Sequence, residues 1–328
     1  MDSLSGELVG LMGLISKFTE YIATLGIENV QTKRDFSPVT LADFGSQVIV
    51  SNWLNINFRG EPLIAEESLK SLPEDNRDNF IEHLIDVLKP FLGELNRQNI
   101  MDYLDMNCSF TKEKSYWVLD PLDGTKGFLR GDQYAISLGH VNEGFIDVGI
   151  LACPRLRLSS FWGMGNRIDK GYTFFAQKRQ GAWMQPLDLS EEAIPIHVSE
   201  CKEPQNAVLL RSYESKHTDL KRTTVFLERM DIKKTIPVDS QVKYGLLACG
   251  IGEIILRFPP MDNPDYREKV WDHVGGAIIL QEAGGKVTDI LGNSFQYDGS
   301  SALDKSVGVF ASNGYLHKIG LEVLQEVM

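Results

Sequence analysis

Residues 117–133, WVLDPLDGTKGFLRGDQ, begin as an apolar run and then present two aspartates that are three residues apart. The apolar run predicts a buried strand that leads into Asp120. Proline has no backbone N–H and cannot extend a ladder, so we predict that the strand ends at Pro121 and that the chain turns there. A buried strand seldom ends in two acids without something that neutralises them, because an unpaired buried carboxylate is costly.

Two interpretations of this turn stay open. In one, the aspartates and Gly124 serve the backbone geometry of the turn alone. In the other, Asp120, Asp123 and the Leu122 carbonyl supply oxygen ligands to a hard cation. The backbone amides of Gly124 and Thr125 would then open a short helix or an anion-binding nest that faces a phosphate.

The composition is that of an ordinary soluble globular protein, with 328 residues of which 43% are hydrophobic and 24% charged. A net charge of −12 without a basic cluster argues against a nucleic-acid partner. No apolar run approaches the ~20 residues that span a bilayer, so we expect no membrane partner. The N-terminal stretch MDSLSGELVGLMGL lacks a basic region and predicts no signal peptide, and the widely spaced cysteines predict free thiols in the cytoplasm. An anionic small substrate would need cations to mediate its approach.

Hydrophobic periodicity divides the chain into two halves of different rhythm. In the first half, helices are predicted at 7–25, 40–53 and 80–95, a loop at 70–79, and strands at 62–68, into Asp120, and at 134–141, 145–152, 158–163 and 172–177. In the second half, strands are predicted at 207–212, 233–238, 253–258, 285–290 and 307–312, with helices near 217–230, 241–249 and 268–283 and at the end. The first half predicts an antiparallel sheet and the second a layered α/β unit. We expect two tightly packed halves, 1–190 and 191–328, with a boundary near 185–196.

Several further acids have an ordinary structural interpretation beside a functional one. Glu66 and Glu67 end a predicted strand, where adjacent carboxylates repel unless they are solvated or bound to metal. Asp43 lies three residues after Thr40, a spacing at which the two residues would form a capping box. Asp272 lies in the first turn of a predicted helix, where the macrodipole favours a carboxylate. Taken one at a time, these acids favour the structural interpretation.

Lys243 is a candidate anion ligand. In VDSQVKYGLLACG (238–250), Ser240 is predicted as an N-cap, which places Lys243 in the first turn of a helix. A cation there opposes the helix dipole at a cost of up to ~1 kcal/mol, whereas a bound anion would reverse the sign. Arg257 interrupts the apolar strand EIILRF (253–258) and could point to the same place. The alternative, a lysine turned to solvent and an arginine in a surface pair, stays open.

Three segments, AEES (65–68), DPLDGTKGFLRGDQ (120–133) and WDHVGGAIILQEAGG (271–285), together resemble the inositol-monophosphatase superfamily of Mg²⁺-dependent, lithium-sensitive phosphatases. The resemblance covers nearly the whole chain, in order. TKGFLRGDQYA (125–135), SPVTLADFGSQ (37–47) and VDSQVKYGLLACG are similar to the branch that removes the 3′-phosphate of 3′-phosphoadenosine 5′-phosphate. Ala65 departs from the glycine that usually precedes the paired glutamates, and it leaves the carboxylates in place.

The resemblance implies a layered α-β-α-β-α sandwich of mixed sheets, in the α+β or α/β class, with the site between the two halves. It implies metal ligands at Glu66, Asp120, the Leu122 carbonyl, Asp123 and Asp272. It implies a water-activating pair, Asp43 and Thr125. It implies nucleotide contacts at Thr125, His217, Ser240, Lys243, Arg257 and Asp272. It also implies two or three Mg²⁺ ions as cofactors, Li⁺ as an inhibitor, a small nucleotide bisphosphate as the partner, and a monomer.

Two other functions stay open from the sequence. One is hydrolysis of an inositol monophosphate or of inositol 1,4-bisphosphate. The other is a catalytically silent sensor that binds the nucleotide without hydrolysing it. The presence of both Asp43 and Thr125 argues against the sensor, because binding alone needs no water-activating pair. The sulfated nucleotide 3′-phosphoadenosine 5′-phosphosulfate is a further candidate substrate.

Overall fold

The computed structural model describes residues 3–26, 30–33, 38–162, 171–213 and 218–328. Its helices are α1 Ser3–Thr24, α2 Leu41–Asn57, α3 Glu74–Leu92, α4 Arg97–Asp105, α5 Thr125–Arg130, α6 Ser159–Trp162, α7 Leu220–Arg229, α8 Val242–Ala248, α9 Val274–Glu282 and α10 His317–Val327. Its strands are β1 Val30–Thr32, β2 Pro38–Thr40, β3 Leu63–Ala65, β4 Ser115–Asp123, β5 Ala135–Asn142, β6 Phe145–Cys153, β7 Tyr172–Gln177, β8 Ala182–Pro186, β9 Ile194–Ile196, β10 Val208–Arg211, β11 Lys234–Pro237, β12 Ile254–Arg257, β13 Lys286–Thr288 and β14 Val309–Ser312.

The predicted strand at 158–163 is wrong, because the chain forms the short helix α6 there, and residue 163 lies outside the described residues. Local hydrogen bonds explain the difference. Leu156 N–H donates to the Cys153 carbonyl at 3.2 Å, and Phe161 N–H donates to the Leu158 carbonyl at 3.0 Å. In these turns, backbone N–H groups bind carbonyl groups three residues earlier in the chain. The segment after β6 therefore forms backbone hydrogen bonds without joining a sheet.

The predicted loop at 70–79 is wrong in part, because it contains the end of the 3₁₀ turn Leu69–Ser71 and the first turn of α3. Glu74 and Asp75 lie in that first turn, where the helix dipole favours acids. The sequence analysis also missed α4, whose N-cap Asn96 accepts a hydrogen bond from the helix backbone. Both helices begin in polar stretches without a strong apolar period.

The larger sheet has seven strands in the order β3-β4-β5-β6-β7-β8-β9, with β3 parallel to β4 and the other pairs antiparallel. Both faces of β4 are buried. Trp117 and Leu119 pack with the helices on one side, whereas Tyr116 and Val118 pack on the other. This double burial explains why β4 is a continuous apolar run and not an alternating one.

The prediction that β4 ends at Pro121 is wrong, because the strand continues through Asp123. Asp120 pairs with Ser137 and Asp123 pairs with Ala135, so three steps on β4 match two steps on β5. Pro121 therefore lies in a β-bulge, where a missing N–H is tolerated. In a regular strand, residues three apart point to opposite faces, and the extra residue of the bulge changes this alternation.

The smaller sheet has five strands in the order β11-β10-β12-β14-β13. β10 runs parallel to β11 and β12, and β14 is antiparallel to β12 and β13. The strands that were predicted to alternate with helices in the last third of the chain thus form a mixed sheet.

Three hydrophobic cores fill the four interfaces between five layers, and the second core spans two of these interfaces. The first joins Met12 of α1 and Phe44 of α2 to the larger sheet. The second joins the larger sheet to α8 and α9, with Ile278 among its residues, and continues to Ile255 of the smaller sheet. The third joins the smaller sheet to α7 and α10. The expected α-β-α-β-α sandwich of mixed sheets is confirmed.

The larger sheet accepts α9 at close range because two of its residues are glycines. A Cβ on Gly139 would lie 2.4 Å from Val274 Cγ1, and one on Gly149 would lie 2.3 Å from Ile278 Cγ2. Side chains there would push α9 away from the sheet and would displace the segment that precedes it, which carries Asp272.

The division into halves at residue 190 stays a prediction. β9, at Ile194–Ile196, still pairs with β8 and completes the larger sheet, and β10 begins the smaller sheet at Val208. Within the described residues, we find no helix that is both long and apolar enough to cross a membrane.

Candidate functional site

A cavity of about 670 Å³ is lined by residues of both sheets, of α5 and α8, and of the segment before α9. Its lining contains these residues of the predicted set: Glu66, Asp120, Leu122, Asp123, Thr125, Ser240, Lys243, Arg257 and Asp272. Asp43 accepts a hydrogen bond from the Thr125 hydroxyl. His217 lies outside the described residues. Segments separated by up to about 200 positions in the sequence thus converge on one cavity.

Four carboxylates, of Glu66, Asp120, Asp123 and Asp272, line this cavity and act on one another through their charges, although no three of them place ligand atoms within 4.8 Å of one another. Burial raises the pKa of Asp120 well above its ordinary value, and the nearby charges of Glu66, Asp123 and Asp272 raise it further. Burial and Asp123 likewise raise the pKa of Asp272. Buried acids that repel one another favour either protons or cations as partners. Carboxylate and carbonyl oxygens are the ligands that Mg²⁺ prefers, so this donor set fits Mg²⁺.

Gln241, which the sequence analysis missed, holds Asp123 in place. The Gln241 backbone N–H donates to Asp123 Oδ2 at 2.6 Å. Its side-chain Oε1 accepts from Ser137 Oγ at 3.0 Å, and its Nε2 donates to the Trp271 carbonyl at 2.9 Å. Gln241 is 2% exposed. One buried amide therefore fixes β5, the start of α8 and the residue before Asp272 relative to one another.

The Asp43 carboxylate both caps α2 and contacts Thr125, so its structural and functional interpretations are compatible. Its Oδ2 accepts from the Thr40 N–H at 2.8 Å, a contact that belongs to the capping box of α2. The same oxygen also accepts from Thr40 Oγ1 at 2.6 Å. Its Oδ1 accepts from Thr125 Oγ1 at 3.1 Å. Burial raises the pKa of Asp43 to about 6, against the opposing effect of the Thr40 hydrogen bonds. The helix cap therefore fixes the carboxylate that faces Thr125.

The paired glutamates differ in burial: Glu67 is 1% exposed, whereas the Glu66 side chain is 31% exposed, so the pair is not a fully solvated loop. Lys33, which the sequence analysis missed, follows β1 and reaches both acids. Its Nζ lies 2.6 Å from Glu67 Oε1 and 3.1 Å from Glu66 Oε1. Gln47 Nε2 donates to the Glu67 carbonyl at 2.9 Å and fixes the backbone there. No local pattern around residue 33 could have indicated this contact, because it spans more than 30 residues.

Ser240 is not the N-cap of α8, contrary to the sequence prediction. The N-cap is Gln241 and the helix begins at Val242. Ser240 has a φ of 63°, in the left-handed region, and its Oγ accepts from the Val242 N–H at 3.3 Å. The strained turn places the Gln241 N–H against Asp123, and this contact accounts for the shift of the helix start by one residue.

Lys243 is not turned to solvent, because its ammonium group is held by three oxygens beside the cavity. Its Nζ donates to the Ser240 carbonyl at 2.8 Å, to the Val238 carbonyl at 3.2 Å and to Ser212 Oγ at 3.2 Å. Burial lowers the pKa of Lys243 to about 8, although Asp123 opposes this effect. The carbonyls that bind it carry no net charge, so the ammonium keeps its capacity to attract an anion.

Arg257 is not in a surface pair, because its guanidinium contacts a buried acid. Its Nη1 lies 2.9 Å from Glu268 Oε2 and 3.9 Å from Asp272 Oδ2. Burial opposes its charge, yet Glu268 and Asp272 raise the pKa of Arg257 above its ordinary value. Asp272 lies in a 3₁₀ turn, Val270–Asp272, and not in the first turn of α9 as predicted, because the backbone of His273 leaves the helical region.

The comparisons with known proteins agree with this fold. A sequence profile of the inositol monophosphatase family matches residues 13–328. The chain is 37% identical over 314 residues to an Oryza sativa protein named 3′(2′),5′-bisphosphate nucleotidase, a match that covers 91% of this chain and 87% of the relative. It is 39% identical over 274 residues to 3′(2′),5′-bisphosphate nucleotidase 1 of Arabidopsis thaliana, with 78% and 76% covered. Among solved structures, the IMPase of Thermotoga maritima has the same fold, with a TM-score of 0.66 at 23% identity over 100% of this chain and 98% of the other. From the profile match and these identities, we conclude that the chain belongs to the inositol monophosphatase family.

Proposed function

We propose that this chain is a Mg²⁺-dependent phosphatase that removes the 3′-phosphate of 3′-phosphoadenosine 5′-phosphate and yields AMP and phosphate. The observation that carries the proposal is the juxtaposition of four carboxylates with Lys243 and Arg257 in one cavity. The carboxylates suit divalent cations beside one phosphate, and the two basic side chains suit a second phosphate. A substrate with two phosphates matches both parts. The names of the rice and Arabidopsis relatives specify a bisphosphate nucleotide.

The cavity would hold two or three Mg²⁺ ions. The ligands would be Glu66, Asp120, the Leu122 carbonyl, Asp123 and Asp272. Bound Mg²⁺ supplies charge neutralisation at the phosphoryl oxygens and lowers the pKa of water. We expect Li⁺ to inhibit by taking the place of one ion. A titration of the Mg²⁺-supported rate with Li⁺ tests this assignment, and an unchanged rate would contradict it.

Asp43 and Thr125 would position and deprotonate the attacking water. Thr125 Oγ1 donates to Asp43 Oδ1, so its lone pairs are oriented to accept a hydrogen bond from water. As the water attacks phosphorus, the bond from phosphorus to the 3′-oxygen would break. One proton of the water would pass to Thr125 Oγ1 while the Thr125 proton passes to Asp43 Oδ1, and the leaving 3′-oxygen would take up a proton from solvent. A pKa of about 6 suits Asp43 to this task, because a general base works best when its pKa is near the working pH.

Ser240, Lys243 and Arg257 would hold the 5′-phosphate, which does not react. Binding energy from such a remote group can be used to orient the reacting 3′-phosphate. Asp272 would steer the leaving 3′-oxygen or the ribose in addition to its role as a cation ligand. His217 stays a predicted nucleotide contact. A cytoplasmic location stays a prediction, and we propose that the protein acts as a monomer on a small nucleotide.

The alternative substrates are inositol monophosphate, inositol 1,4-bisphosphate and 3′-phosphoadenosine 5′-phosphosulfate. Inositol monophosphate lacks the second phosphate that Lys243 and Arg257 would bind. Initial rates of phosphate release from all four compounds, with Mg²⁺ and with EDTA, test the proposal. We expect the fastest Mg²⁺-dependent release from one of the two nucleotides. A faster rate with either inositol phosphate would overturn the substrate assignment, and nucleotide binding without phosphate release would favour the sensor.

A further inference from the structure

We infer that Glu268 is a positioning residue that holds the Arg257 guanidinium away from Asp272. This inference rests on the proposed function, because it assigns Arg257 to a phosphate and Asp272 to a cation. One nitrogen of Arg257, Nη1, lies 2.9 Å from Glu268 Oε2 and 3.9 Å from Asp272 Oδ2. The two acids therefore compete for the same guanidinium nitrogen, and in the structure Glu268 holds it.

Burial distinguishes the two acids. The Asp272 side chain is 24% exposed and lines the cavity, as does Arg257 with 27%. The Glu268 side chain is 1% exposed. Glu268 thus contacts Arg257 from the protein interior, while Arg257 still presents part of its guanidinium to the cavity. A ligand phosphate and Glu268 can contact the same planar group at different edges.

Glu268 is itself held by a chain of buried groups. His273 Nε2 lies 3.3 Å from Glu268 Oε2, and His273 Nδ1 lies 2.9 Å from the Tyr244 hydroxyl. His273 is 4% exposed and Tyr244 is 3% exposed. With a proton on Nε2, the imidazole donates to Glu268 and accepts from Tyr244, so that each group has a matching partner. The Glu268 carbonyl also accepts from the Leu303 N–H at 2.8 Å.

Glu268, Asp272 and His273 could be taken for a metal site of their own, because each places a donor atom within 4.8 Å of the others. The Arg257 guanidinium argues against this interpretation. It contacts the same Glu268 oxygen that faces His273, and a cation at that oxygen would be repelled by the arginine.

The loss of Glu268 has a specific electrostatic consequence. Among the described residues, Asp272 is the other acid within 4 Å of this guanidinium, so a partly buried Arg257 without Glu268 should move toward it. An Asp272 oxygen that binds Arg257 is a poorer cation ligand, and an Arg257 that binds Asp272 is a poorer phosphate ligand. One substitution outside the cation ligands should therefore weaken both the binding of the cation and that of the second phosphate.

The test is Glu268→Gln, which keeps the shape of the side chain and removes its charge. We expect the affinity for Mg²⁺, measured by calorimetry without nucleotide, to fall about tenfold. We expect the KM for 3′-phosphoadenosine 5′-phosphate to rise more than kcat falls. Glu268→Asp, which keeps the charge, should retain most of the Mg²⁺ affinity. Because the calorimetry needs no substrate, it tests the inference even if the nucleotide proves to be the wrong substrate.

The double variant Glu268→Gln/Arg257→Ala separates positioning from a general loss of structure. With the guanidinium removed, Arg257 no longer competes with the cation for Asp272, and we expect the Mg²⁺ affinity to return to the wild-type value or above it. Glu253→Gln is the matched control, since Glu253 is also buried and accepts hydrogen bonds from Ser199 and Val208. It should lower the melting temperature without changing the Mg²⁺ affinity. Unchanged affinity in Glu268→Gln, or reduced affinity that persists in the double variant, would overturn the inference.

Discussion

Asp43 and Thr125 are 82 residues apart in the chain, and their side chains are joined by a 3.1 Å hydrogen bond. The other oxygen of Asp43 caps α2 through Thr40. The cap leaves the carboxylate little freedom to rotate, because both of its oxygens are engaged. A local element of helix stability thus also fixes the orientation of the proposed general base.

Replacing Thr125 with valine tests the role of its hydroxyl. Valine has nearly the same shape, so we expect a folded protein with an unchanged Mg²⁺ affinity. We expect kcat to fall by roughly 10²- to 10⁴-fold, the usual contribution of general acid–base catalysis. Thr125→Ser, which keeps the hydroxyl, should retain far more of the rate. Steady-state phosphate release measures both variants, and a wild-type kcat in Thr125→Val would remove the hydroxyl from the mechanism.

Replacing Lys33 with methionine tests the buried ion pair with Glu67. The pair is 10% and 1% exposed, so Lys33→Met leaves a buried carboxylate without its counter-charge. We expect a loss of about 3 kcal/mol in the free energy of unfolding in EDTA, measured by denaturant titration. Adding Glu67→Gln should recover much of it.

Lys114→Met is the matched control for Lys33→Met. Lys114 pairs with Glu143, but the two side chains are 78% and 68% exposed. We expect its removal to change the free energy of unfolding by less than ~1 kcal/mol. Equal effects of the two lysine substitutions would contradict the importance of the Lys33–Glu67 pair.

Lys243 predicts a pH dependence for the selection of bisphosphates. Because burial lowers its pKa to about 8, the ammonium loses its charge as the pH rises through that value. We expect kcat/KM for the nucleotide bisphosphate to fall above this pH, more steeply than for a monophosphate.

The corresponding substitution is Lys243→Ala, with Lys234→Ala, an exposed lysine of β11, as the control. The loss of the ammonium's attraction for the second phosphate, which we take to be comparable to a charged hydrogen bond, should raise KM for the bisphosphate by roughly 10- to 100-fold. The effect on KM for a monophosphate should be small. Equal increases for both substrates would remove Lys243 from the recognition of the second phosphate.

The raised pKa values of the carboxyl groups in and beside the cavity predict that the free energy of unfolding depends on both pH and divalent cations. Burial raises the pKa of Asp43 from 3.8 to about 6 and raises those of Asp120, Asp123 and Asp272 as well. The folded protein therefore binds more protons than the unfolded chain as the pH rises from about 4, and without cations its stability from these groups falls with rising pH.

Bound Mg²⁺ should replace those protons. We expect Mg²⁺ to raise the melting temperature in calorimetric scans, and the increase should be larger at about pH 7.5 than at about pH 5. Asp123→Asn, which removes one of the proposed ligands, should reduce this increase. A melting temperature that does not change with Mg²⁺ at either pH value would contradict a cation site among these acids.

Local patterns predicted many of the strands and helices of both halves, whereas the five-layer sandwich and the set of candidate ligand acids came from the resemblance to the family. The apolar run before Asp120 and the alternation of strands and helices after residue 207 follow directly from which faces are buried. Pro121 was misinterpreted because a strand can accommodate proline in a bulge, and only the register with β5 reveals the bulge.

The predictions that were wrong or missing depend on contacts between distant segments. Ser240 has the chemistry of an N-cap, but the bond from the Gln241 N–H to Asp123, 118 residues away, sets the turn differently. Lys33 reaches the buried Glu67 from another segment, and Arg257 contacts the buried Glu268. Such pairings are set by tertiary packing, which single-sequence patterns do not encode.

The most direct measurement of the central claim is the affinity of Thr125→Val for 3′-phosphoadenosine 5′-phosphate, determined by calorimetry with Mg²⁺ and then with EDTA. The account predicts tight binding with Mg²⁺ and at least ~100-fold weaker binding with EDTA, since a coupling of this size is within the usual range between linked sites. Equal affinity in both buffers would mean that the acidic cavity accepts the nucleotide without cations, and it would contradict the account.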